Sequence, residues 1–521
     1  MFYLRIAGLV FSLLSLVAGV RNTDVISNLG LGFSVALSFQ NLAFCLLGAM
    51  LGTLIGVLPG IGPVATIAML LPFTFTLSPI PALIMLAGIY YGAQYGGSTT
   101  AILVNMPGES SSVVTCLDGY QMARQGRAGA ALAIAAIGSF IAGCFSTVLV
   151  AVFSKPLTSV AQSFGAAEYF SLMVFGLIAA VVLAQGSVLK AVAMILVGLF
   201  LGLVGTDVNT GKQRFTFGVP ELSDGIGFVP IALGIFGLAE IITNLSKPEE
   251  RSILSQPIHG LMPTMADFKQ AFPAIMRGTA LGSLLGVLPG GGAVLSAFAA
   301  YTLEKKIAKD PSRFGKGAIE GVAAPESANN AGAQTSFIPL LTLGIPPNPV
   351  MALMIGAMMI HGIQPGPAVM TKQPDLFWGL VASMWIGNLM LLVINLPMIG
   401  MWVRLLSVPY RLLFPAILLF CCIGVYSLNN SAFEVGLTAL FGLMGYFFLK
   451  TGCEGAPLLL GFVLGPMMEE NLRRALLLAH GDPVVFLQRP ISLGLLIMSA
   501  LLLAAVVLPA VKSTREQAFQ E

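Results

Sequence analysis

The chain has 521 residues, of which 56% are apolar and only 9% are charged, and its mean hydropathy is +0.90. Soluble proteins carry about 25% charged residues, so this composition excludes a soluble multidomain enzyme, and it excludes a disordered chain as well. The net charge of +3 is too sparse to build a basic face, which excludes nucleic acid as a partner. The sequence therefore predicts a polytopic membrane protein with the lipid bilayer around it.

The chain begins with a hydrophobic extension, residues 1–28, in which the stretch 4–20 has one early Arg and ends in small residues. This stretch is similar to the apolar region of a signal peptide. It is also just long enough to be a first spanning helix. The sequence leaves both interpretations open.

Apolar runs free of charge predict the helices that follow. Some of the runs are short or contain Gly and Pro, so we expect about 11–13 transmembrane or re-entrant helices. The fold class is all-α, because a membrane barrel would show alternating ten-residue strands. The runs lie near 42–58, 82–104, 128–153, 168–185, 188–205, 226–246, 276–300, 327–345, 349–363, 377–400, 412–428, 433–449, 455–467 and 491–511.

Charged residues collect in a few loops, which are predicted to be aqueous and to divide the chain. After the extension, the predicted divisions are a first transporter repeat over 29–205, connecting loops and a helix over 206–275, a second transporter repeat over 276–400, and C-terminal helices over 401–521. Near the end, residues 469–481 predict a short amphipathic helix at the membrane interface. Its charges pair at a spacing of four, as in Glu469 with Arg473, and Gly481 is the expected C-terminal cap.

An internal repeat is the strongest organisational signal. LGTLIGVLPGIGPV at 51–64 aligns without gaps with LGSLLGVLPGGGAV at 281–294, with ten identities in fourteen positions at an offset of 230. Further along each copy there is a small, polar, proline-terminated segment, at 90–108 and at 325–347. Two halves with interrupted apolar segments at corresponding positions are typical of the binding site of a secondary transporter.

Positive charge predicts that the two copies are inserted with opposite topology. The loop 74–81 has no Lys or Arg, whereas its counterpart 302–316 has five, and one crossing later the bias reverses between 108–127 and 364–376. By the positive-inside rule the loops 302–316 and 108–127 are cytoplasmic. The repeats are thus predicted to be inverted.

The repeated proline–glycine motifs are predicted to break their helices at the membrane midplane and to bind substrate. The backbone groups freed by Pro and Gly must line a cavity, and the positive end of a restarting helix favours an anion there. A glycine kink that allows tight helix packing is the structural alternative. The candidate substrate-binding residues in these motifs are Pro59, Gly60, Gly62, Pro289, Gly290, Gly291 and Gly292.

Uncharged polar residues in both copies complete the predicted pocket. Their hydroxyls and amides can donate to carboxylate oxygens and their oxygens can bind Na⁺, although Ser and Thr also bond to carbonyls of their own helix. The further substrate-binding candidates are Gly96, Gly97, Ser98, Thr99, Asn105, Asn329, Asn330, Thr335 and Ser336. A carboxylate within the membrane is costly and functional by default, so Glu326, with Ser327 and Gln334, is the candidate ion-coupling group for Na⁺ or H⁺.

Catalytic and metal chemistry are not predicted. The six cysteines show no C-x-x-C spacing, the chain has three histidines, and no phosphate-binding loop or hydrolase motif occurs. We therefore expect no cofactor apart from a coupling ion, no catalytic residues, and an energy supply from an ion gradient or from a component outside this chain.

Four long motifs resemble a known family. They are GVLPGIGPVATIAMLLPFT at 56–74, the segment 88–132, the segment 321–367, and LGPMMEENLRRALLLAHGD at 464–482. These motifs resemble the TctA-type large membrane subunit of tripartite tricarboxylate transporters, and the likeness covers the chain from about residue 29 onward.

The resemblance implies a multi-pass permease of the bacterial inner membrane that imports a carboxylate by ion-driven symport. Citrate is the default substrate and Na⁺ the usual coupling ion. The implied partners are a small, TctB-like membrane subunit and a periplasmic, TctC-like substrate-binding protein. Two other classes stay open: an intramembrane enzyme, which would need a clustered acid/base or nucleophile set, and a passive anion channel, which gradient-dependent accumulation would exclude.

Overall fold

The computed structural model of the protein describes residues 23–58, 62–161, 163–183, 187–207, 210–245, 262–288, 292–405 and 410–507. This part of the chain is nearly all helical, which confirms the predicted all-α class. Its one sheet is a two-stranded antiparallel pair, β1 (Gly205–Thr206) with β2 (Gln213–Arg214). Most of the hydrophobic extension lies outside the described residues.

The first copy of the repeat and the helices after it occupy the first two fifths of the chain. These helices are α1 (Thr23–Ala36), α2 (Phe39–Val57), α3 (Pro63–Thr74), α4 (Pro79–Val104), α5 (Val113–Arg124), α6 (Ala128–Ala161), α7 (Ala166–Leu183) and α8 (Val188–Gly202), with a 3-10 turn at Ser110–Ser112 before α5. The predicted boundary at residue 28 falls inside α1.

The rest of the chain contains the second copy and the C-terminal helices. The connecting segment has a 3-10 turn at Pro220–Leu222 and one continuous helix, in which α9 (Phe228–Ala232) passes through a π-helical turn (Leu233–Leu238) into α10 (Ala239–Leu245). The second copy then has α11 (Met265–Val287), α12 (Gly292–Ile307), a 3-10 turn at Pro311–Arg313, α13 (Glu320–Thr335), α14 (Phe337–Leu343), α15 (Pro349–Ile360), α16 (Pro367–Lys372), α17 (Pro374–Asn395) and α18 (Ile399–Leu405). The C-terminal helices are α19 (Tyr410–Asn429), α20 (Ala432–Lys450), α21 (Gly455–Leu478), α22 (Val485–Gln488) and α23 (Pro490–Val507).

Several of the described helices suit a bilayer. Four of them, α2, α6, α17 and α20, are long and apolar enough to cross a membrane, and seven further apolar helices are shorter. The prediction of 11–13 membrane helices stays a prediction. By contrast, α4 is buried on all sides from Pro81 to Val104, which is expected of a helix inside a bundle rather than one against lipid.

The structure gives the helix boundaries within two predicted segments. The predicted run 276–300 contains the end of α11 at Val287 and the start of α12 at Gly292, on either side of the motif that is predicted to break it. The predicted interfacial helix at 469–481 is not separate, because α21 continues through Pro466 to Leu478. The predicted ion pair between Glu469 and Arg473 is present at 2.7 Å.

The end of α21 also differs from the prediction in one detail. His480 has the left-handed backbone of the capping residue, with φ of 51°, and the amide of Gly481 donates to the carbonyl of Leu476 at 2.8 Å. This is the hydrogen bond of a Schellman cap, in which Gly481 follows the left-handed residue.

Two pairs of helices pack most closely against each other among the described elements, α2 with α4 and α11 with α13. Each first helix carries three glycines at a spacing of four, which places them on one face. A Cβ atom at any of these glycines would collide with the backbone of the partner helix. On α2 they are Gly48, Gly52 and Gly56, against Met85, Ile89 and Ala93, and on α11 they are Gly278, Gly282 and Gly286, against Ala324, Ala328 and Gly332. Adding the repeat offset of 230 to the three glycine positions of α2 gives the three glycine positions of α11. The two copies therefore pack these helices in the same way.

Candidate functional site

Helix α13 is polar and yet buried, which sets it apart from its neighbours. Every residue from Gly321 to Thr335 is buried, although the sequence is rich in Asn, Ser, Gln and Glu. Its small residues allow close packing, and several polar side chains bond to carbonyls one turn earlier, as Ser327 does to Ala323 at 2.7 Å. A buried helix of this composition is the natural centre of a polar site.

Glu326 is the charged residue of this helix interior, and it is fully buried. Its carboxylate accepts hydrogen bonds from the hydroxyls of Ser98 on α4 and Thr115 on α5, and from the amide of Asn329 at 3.2 Å. Among the described residues no Lys, Arg or His forms an ion pair with it. The carboxylate of the second copy is therefore bound by hydroxyls of the first copy and has no fixed counter-charge in the described chain.

The two asparagines after Glu326 connect the site to α6. Asn330 donates through Nδ2 to Ser139 Oγ at 2.8 Å and to Asn329 Oδ1 at 2.7 Å. The amide oxygen of Asn330 is buried and has no hydrogen-bond partner in the described structure. The predicted residues Glu326, Asn329 and Asn330 thus form one hydrogen-bonded cluster.

A small cavity of about 10 Å³ lies beside Ser98. This is about the room that one water molecule needs. Its lining is half polar and half apolar: Tyr95, Ser98, Thr99 and Asn395, with Leu132, Ala135, Ala136 and Ile399. Asn395, the last residue of α17, donates through Nδ2 to the carbonyl of Leu391 at 2.9 Å, and its Oδ1 has no donor.

Two matching polar positions follow the central helices. Glu109 and Asn348 stand 239 residues apart, each in extended backbone before a helical turn, and each shortly after a left-handed residue, Asn105 or Gly344. Glu109 accepts from Gln94 Nε2 at 3.0 Å. The second copy therefore has a neutral amide where the first copy has a carboxylate.

Asn348 bridges the two copies. Its Nδ2 donates to Ser336 Oγ at 3.1 Å and to the hydroxyl of Tyr90 at 3.3 Å, and its Oδ1 accepts from the Met351 amide at 3.0 Å. The same side chain thus caps α15 and contacts α4.

Other predicted residues have packing or local roles. Gly96 lies against Gly56 of α2, and a Cβ at Gly97 would be 2.8 Å from Glu109 Cγ, so neither position has room for a side chain. Thr335 bonds to the carbonyl of its own helix at Ala331. Gln334 is fully buried, and neither amide atom has a hydrogen-bond partner in the described structure.

The proline–glycine motifs are described only at their ends. Gly62 precedes α3, and its carbonyl accepts from Thr66 Oγ1 at 3.0 Å. Gly292 begins α12 with φ of 48°. Asn105 is exposed at the end of α4. Pro59, Gly60, Pro289, Gly290 and Gly291 lie outside the described residues.

Several residues of the site were not among the predicted ones. Asn348 and Asn395 carried a usable signal, because each is an amide beside or inside an apolar run. Thr115 and Ser139 carried none, since single hydroxyls are common in membrane helices and only the fold brings these two to the cluster.

A larger surface cavity of about 490 Å³ lies where α2, α4 and α17 begin. Ser78, Pro79, Lys372, Pro374 and Asp375 are among the residues that line it. Most of its lining belongs to the segments 74–81 and 364–376, which the charge pattern predicts to lie away from the cytoplasm.

The site offers oxygen ligands and hydrogen bonds rather than a transition-metal centre. No group of three or more His, Cys, Asp or Glu that could hold a metal ion occurs within the described ranges. A carboxylate with hydroxyl and amide oxygens suits a hard cation or a proton.

Comparison with known proteins gives a consistent result. The family model described as "Tripartite tricarboxylate transporter TctA family" matches residues 42–460. An Agrobacterium vitis relative, described as an uncharacterized 52.8 kDa protein in the TAR-I ttuC' 3'region, is 59% identical over 498 residues, which is 96% of this chain and 99% of the relative. A second A. vitis protein, from the TAR-II ttuC' 3'region, is 59% identical over 240 residues, covering 46% of this chain and 99% of that protein. No solved structure matches the chain significantly.

Proposed function

Since this chain belongs to the tripartite tricarboxylate transporter TctA family, we propose that it is the large permease subunit of a binding-protein-dependent carboxylate importer driven by an ion gradient. Family membership and the apolar helices support a multi-pass membrane protein that acts as a transporter subunit. Citrate is the default substrate of the proposal and Na⁺ the default ion, with H⁺ as the second choice.

Glu326 is the observation that carries the ion-driven part of this proposal. A buried carboxylate without a basic partner is costly in its charged form, and the cost falls when a cation or a proton joins it. Ser98 and Thr115 attach this carboxylate to the other copy of the repeat. Binding an ion at this junction would therefore change the contact between the two copies, which is what coupling to transport requires.

The repeat supports the transport part. Both copies pack a glycine-lined helix on a buried partner, and in both copies the glycine-lined helix ends just before a proline–glycine motif, at Val57 and Val287. We propose that the copies are inverted and that the breaks at 58–63 and 288–292 bind the carboxylate. The proposed partners are a TctB-like small membrane subunit and a TctC-like periplasmic binding protein, in the inner membrane of a bacterium.

Uptake into vesicles tests the function. Vesicles that contain this chain and its small membrane partner should accumulate labelled citrate only when both an inward Na⁺ gradient and the cognate binding protein are present. Accumulation with a proton gradient alone would change the ion of the proposal. Equilibration without accumulation under every gradient would contradict it and favour a passive channel.

A further inference from the structure

We propose that the cavity beside Ser98 binds one dehydrated Na⁺ ion, with oxygens of Ser98, Thr99 and Asn395 as ligands and Glu326 as its counter-charge. The proposal deepens the function above and rests on it only for the statement that the ion is transported. It assigns Ser98 and Thr99 to the cation instead of the carboxylate substrate.

The direction of the hydrogen bonds selects a cation over an anion. The single hydroxyl proton of Ser98 is directed to Glu326 and to the carbonyl of Gln94, so the oxygen has only lone pairs left to offer the cavity. The amide protons of Asn395 are likewise used, on the carbonyl of Leu391 and on Thr53 Oγ1 at 3.4 Å. A carboxylate substrate would need donors here, and both side chains present acceptors.

The free oxygen of Asn395 is the independent sign of a ligand. The residue is 4% exposed, it lines the cavity, and its Oδ1 accepts no hydrogen bond in the described structure. A buried carbonyl oxygen without a hydrogen-bond partner destabilises the fold, because it has lost its water and gained no donor. A cation in the cavity would remove that cost.

The electrostatic surroundings favour positive charge. Glu326 is one hydroxyl away from the cavity, through Ser98. The cavity also lies at the C-terminal end of the 22-residue helix α17, where the helix dipole is negative. Helix α18 begins at Ile399 on the same cavity and opposes this effect, but it has only seven residues.

The size of the cavity requires a bare ion. With about 10 Å³ it has room for about one water-sized particle, so an ion that keeps its hydration shell does not fit. Na⁺ and Li⁺ are small enough to be held by the surrounding oxygens, and K⁺ is disfavoured.

Equilibrium binding of ²²Na⁺ to the purified full chain, without substrate, tests the site. The wild type should bind Na⁺ saturably, with displacement by Li⁺ and at least tenfold weaker displacement by K⁺. Asn395→Leu and Glu326→Gln should each weaken Na⁺ binding at least tenfold. Thr147→Val is the matched control, because this buried hydroxyl on α6 bonds only to its own helix at Gly143, and its Na⁺ affinity should not change.

Asn395→Asp keeps the test decisive if Asn395→Leu does not fold. The substitution keeps the shape and adds a negative charge, so Na⁺ should bind several-fold more tightly. Saturable Na⁺ binding that is unchanged in all three variants would overturn the proposed site. The absence of saturable Na⁺ binding to the wild type would overturn it as well. If the Na⁺ site is overturned but gradient-driven uptake of a carboxylate is still observed, the proposed transport function remains. If Na⁺ binds as expected but no carboxylate is taken up, only the proposed function is overturned.

Discussion

The buried carboxylates Asp118 and Glu326 differ in the kind of hydrogen-bond donor that surrounds them. Asp118 accepts from the backbone amides of Gly317 and Ala318, both at 2.7 Å, and from the hydroxyl of Tyr301 at 2.9 Å. Glu326 receives only side-chain donors, two of them from the other copy. Fixed backbone donors suit a permanent structural anion, and movable side-chain donors suit one that changes partners.

Asp118→Asn should therefore destabilise the protein without involving the ion. Oδ1 accepts from the two backbone amides and Oδ2 from the Tyr301 hydroxyl, so the NH₂ group of asparagine would face at least one of these donors. A lost hydrogen bond to a charged group costs about 1.5–3 kcal/mol. We expect a lower thermal unfolding midpoint in detergent and unchanged Na⁺ binding by the folded fraction. Tyr301→Phe removes one of the three donors and should lower the midpoint less; an equal or larger loss would contradict this account.

Glu326→Gln should affect transport instead of stability. The glutamine keeps the volume and can still bond to Ser98, but it has no charge to attract a cation. Gradient-driven accumulation of the carboxylate should fall at least tenfold, with normal protein levels in the membrane. Glu168→Gln is the comparison, because Glu168 is buried elsewhere and accepts from the amide of Gly165 at 2.8 Å. Similar losses in both variants would remove the special role of Glu326.

The sequence identified part of this chemistry at the residue scale. Glu326, Ser98 and Asn329 stand out as polar residues in apolar surroundings, and the structure brings all three together. Asn395 could not be predicted as a ligand, because what matters is the direction of its amide, which Leu391 and Thr53 determine in the folded chain. Hydrogen-bond direction is a property of the fold rather than of spacing.

At the scale of elements, the glycines of α2 and α11 give a paired prediction. A Cβ at Gly52 would lie 2.8 Å from Ile89 Cα, and at Gly282 it would lie 2.7 Å from Ala328 Cα. Because backbone atoms cannot move aside, Gly52→Ala and Gly282→Ala should each cost about 1–3 kcal/mol and lower the unfolding midpoint.

Gly30→Ala on α1 is the control for helix propensity. Nothing lies within 4 Å of a Cβ at Gly30, so the substitution should be neutral or stabilising by up to about 1 kcal/mol. The opposite signs of the stability changes in Gly52→Ala and Gly30→Ala distinguish the cost of a packing clash from the gain in helix propensity. A midpoint that rises in Gly52→Ala would show that the pair is looser than described.

Helix boundaries could be predicted from the sequence where a proline or glycine lies at the position at which the packed helix begins or ends. Pro79 and Pro374 begin α4 and α17 as expected of proline in the first turn. The run 455–467 and the helix 469–481 are predicted as separate segments, whereas in the structure α21 continues through Pro466 and joins them. Local signals could not reveal that.

At the scale of the whole molecule, polar contacts join the two copies at one end. Arg127, just before α6, pairs with Asp267 in the first turn of α11. Gln125 Nε2 donates to the carbonyl of Lys316 at 2.8 Å. The loops involved are those that the charge pattern predicts to be cytoplasmic.

Acid should weaken this junction. Burial alone would raise the pKa of Asp267, but the hydrogen bonds from Thr264 and the positive charge of Arg127 outweigh it and hold the pKa below its ordinary value. A carboxyl group with a lower pKa in the folded state stabilises the fold above its unfolded pKa of about 3.9, and this contribution disappears as the pH falls through the lower folded value.

The unfolding midpoint of the wild type should therefore fall below pH 4 more steeply than that of Asp267→Asn, and the two curves should converge in acid. The difference should be small, because the Arg127 side chain is 42% exposed. Parallel curves over pH 3–7 would show that the ionised carboxylate of Asp267, with its bonds to Thr264 and Arg127, adds nothing to stability.

The backbone contact between α2 and α4, and between α11 and α13, has a mechanical consequence. At the glycine positions no side chains separate the two helices of a pair. The contact is between backbone atoms, which cannot change rotamer to let the helices approach or slide. Each pair of helices should therefore move as one rigid body, so that a displacement at one end of the pair is transmitted fully to the other end. Under the proposed transport mechanism, we therefore expect movement between the two pairs, along the surfaces that are joined by hydroxyls and amides such as Ser98, Thr115 and Asn348.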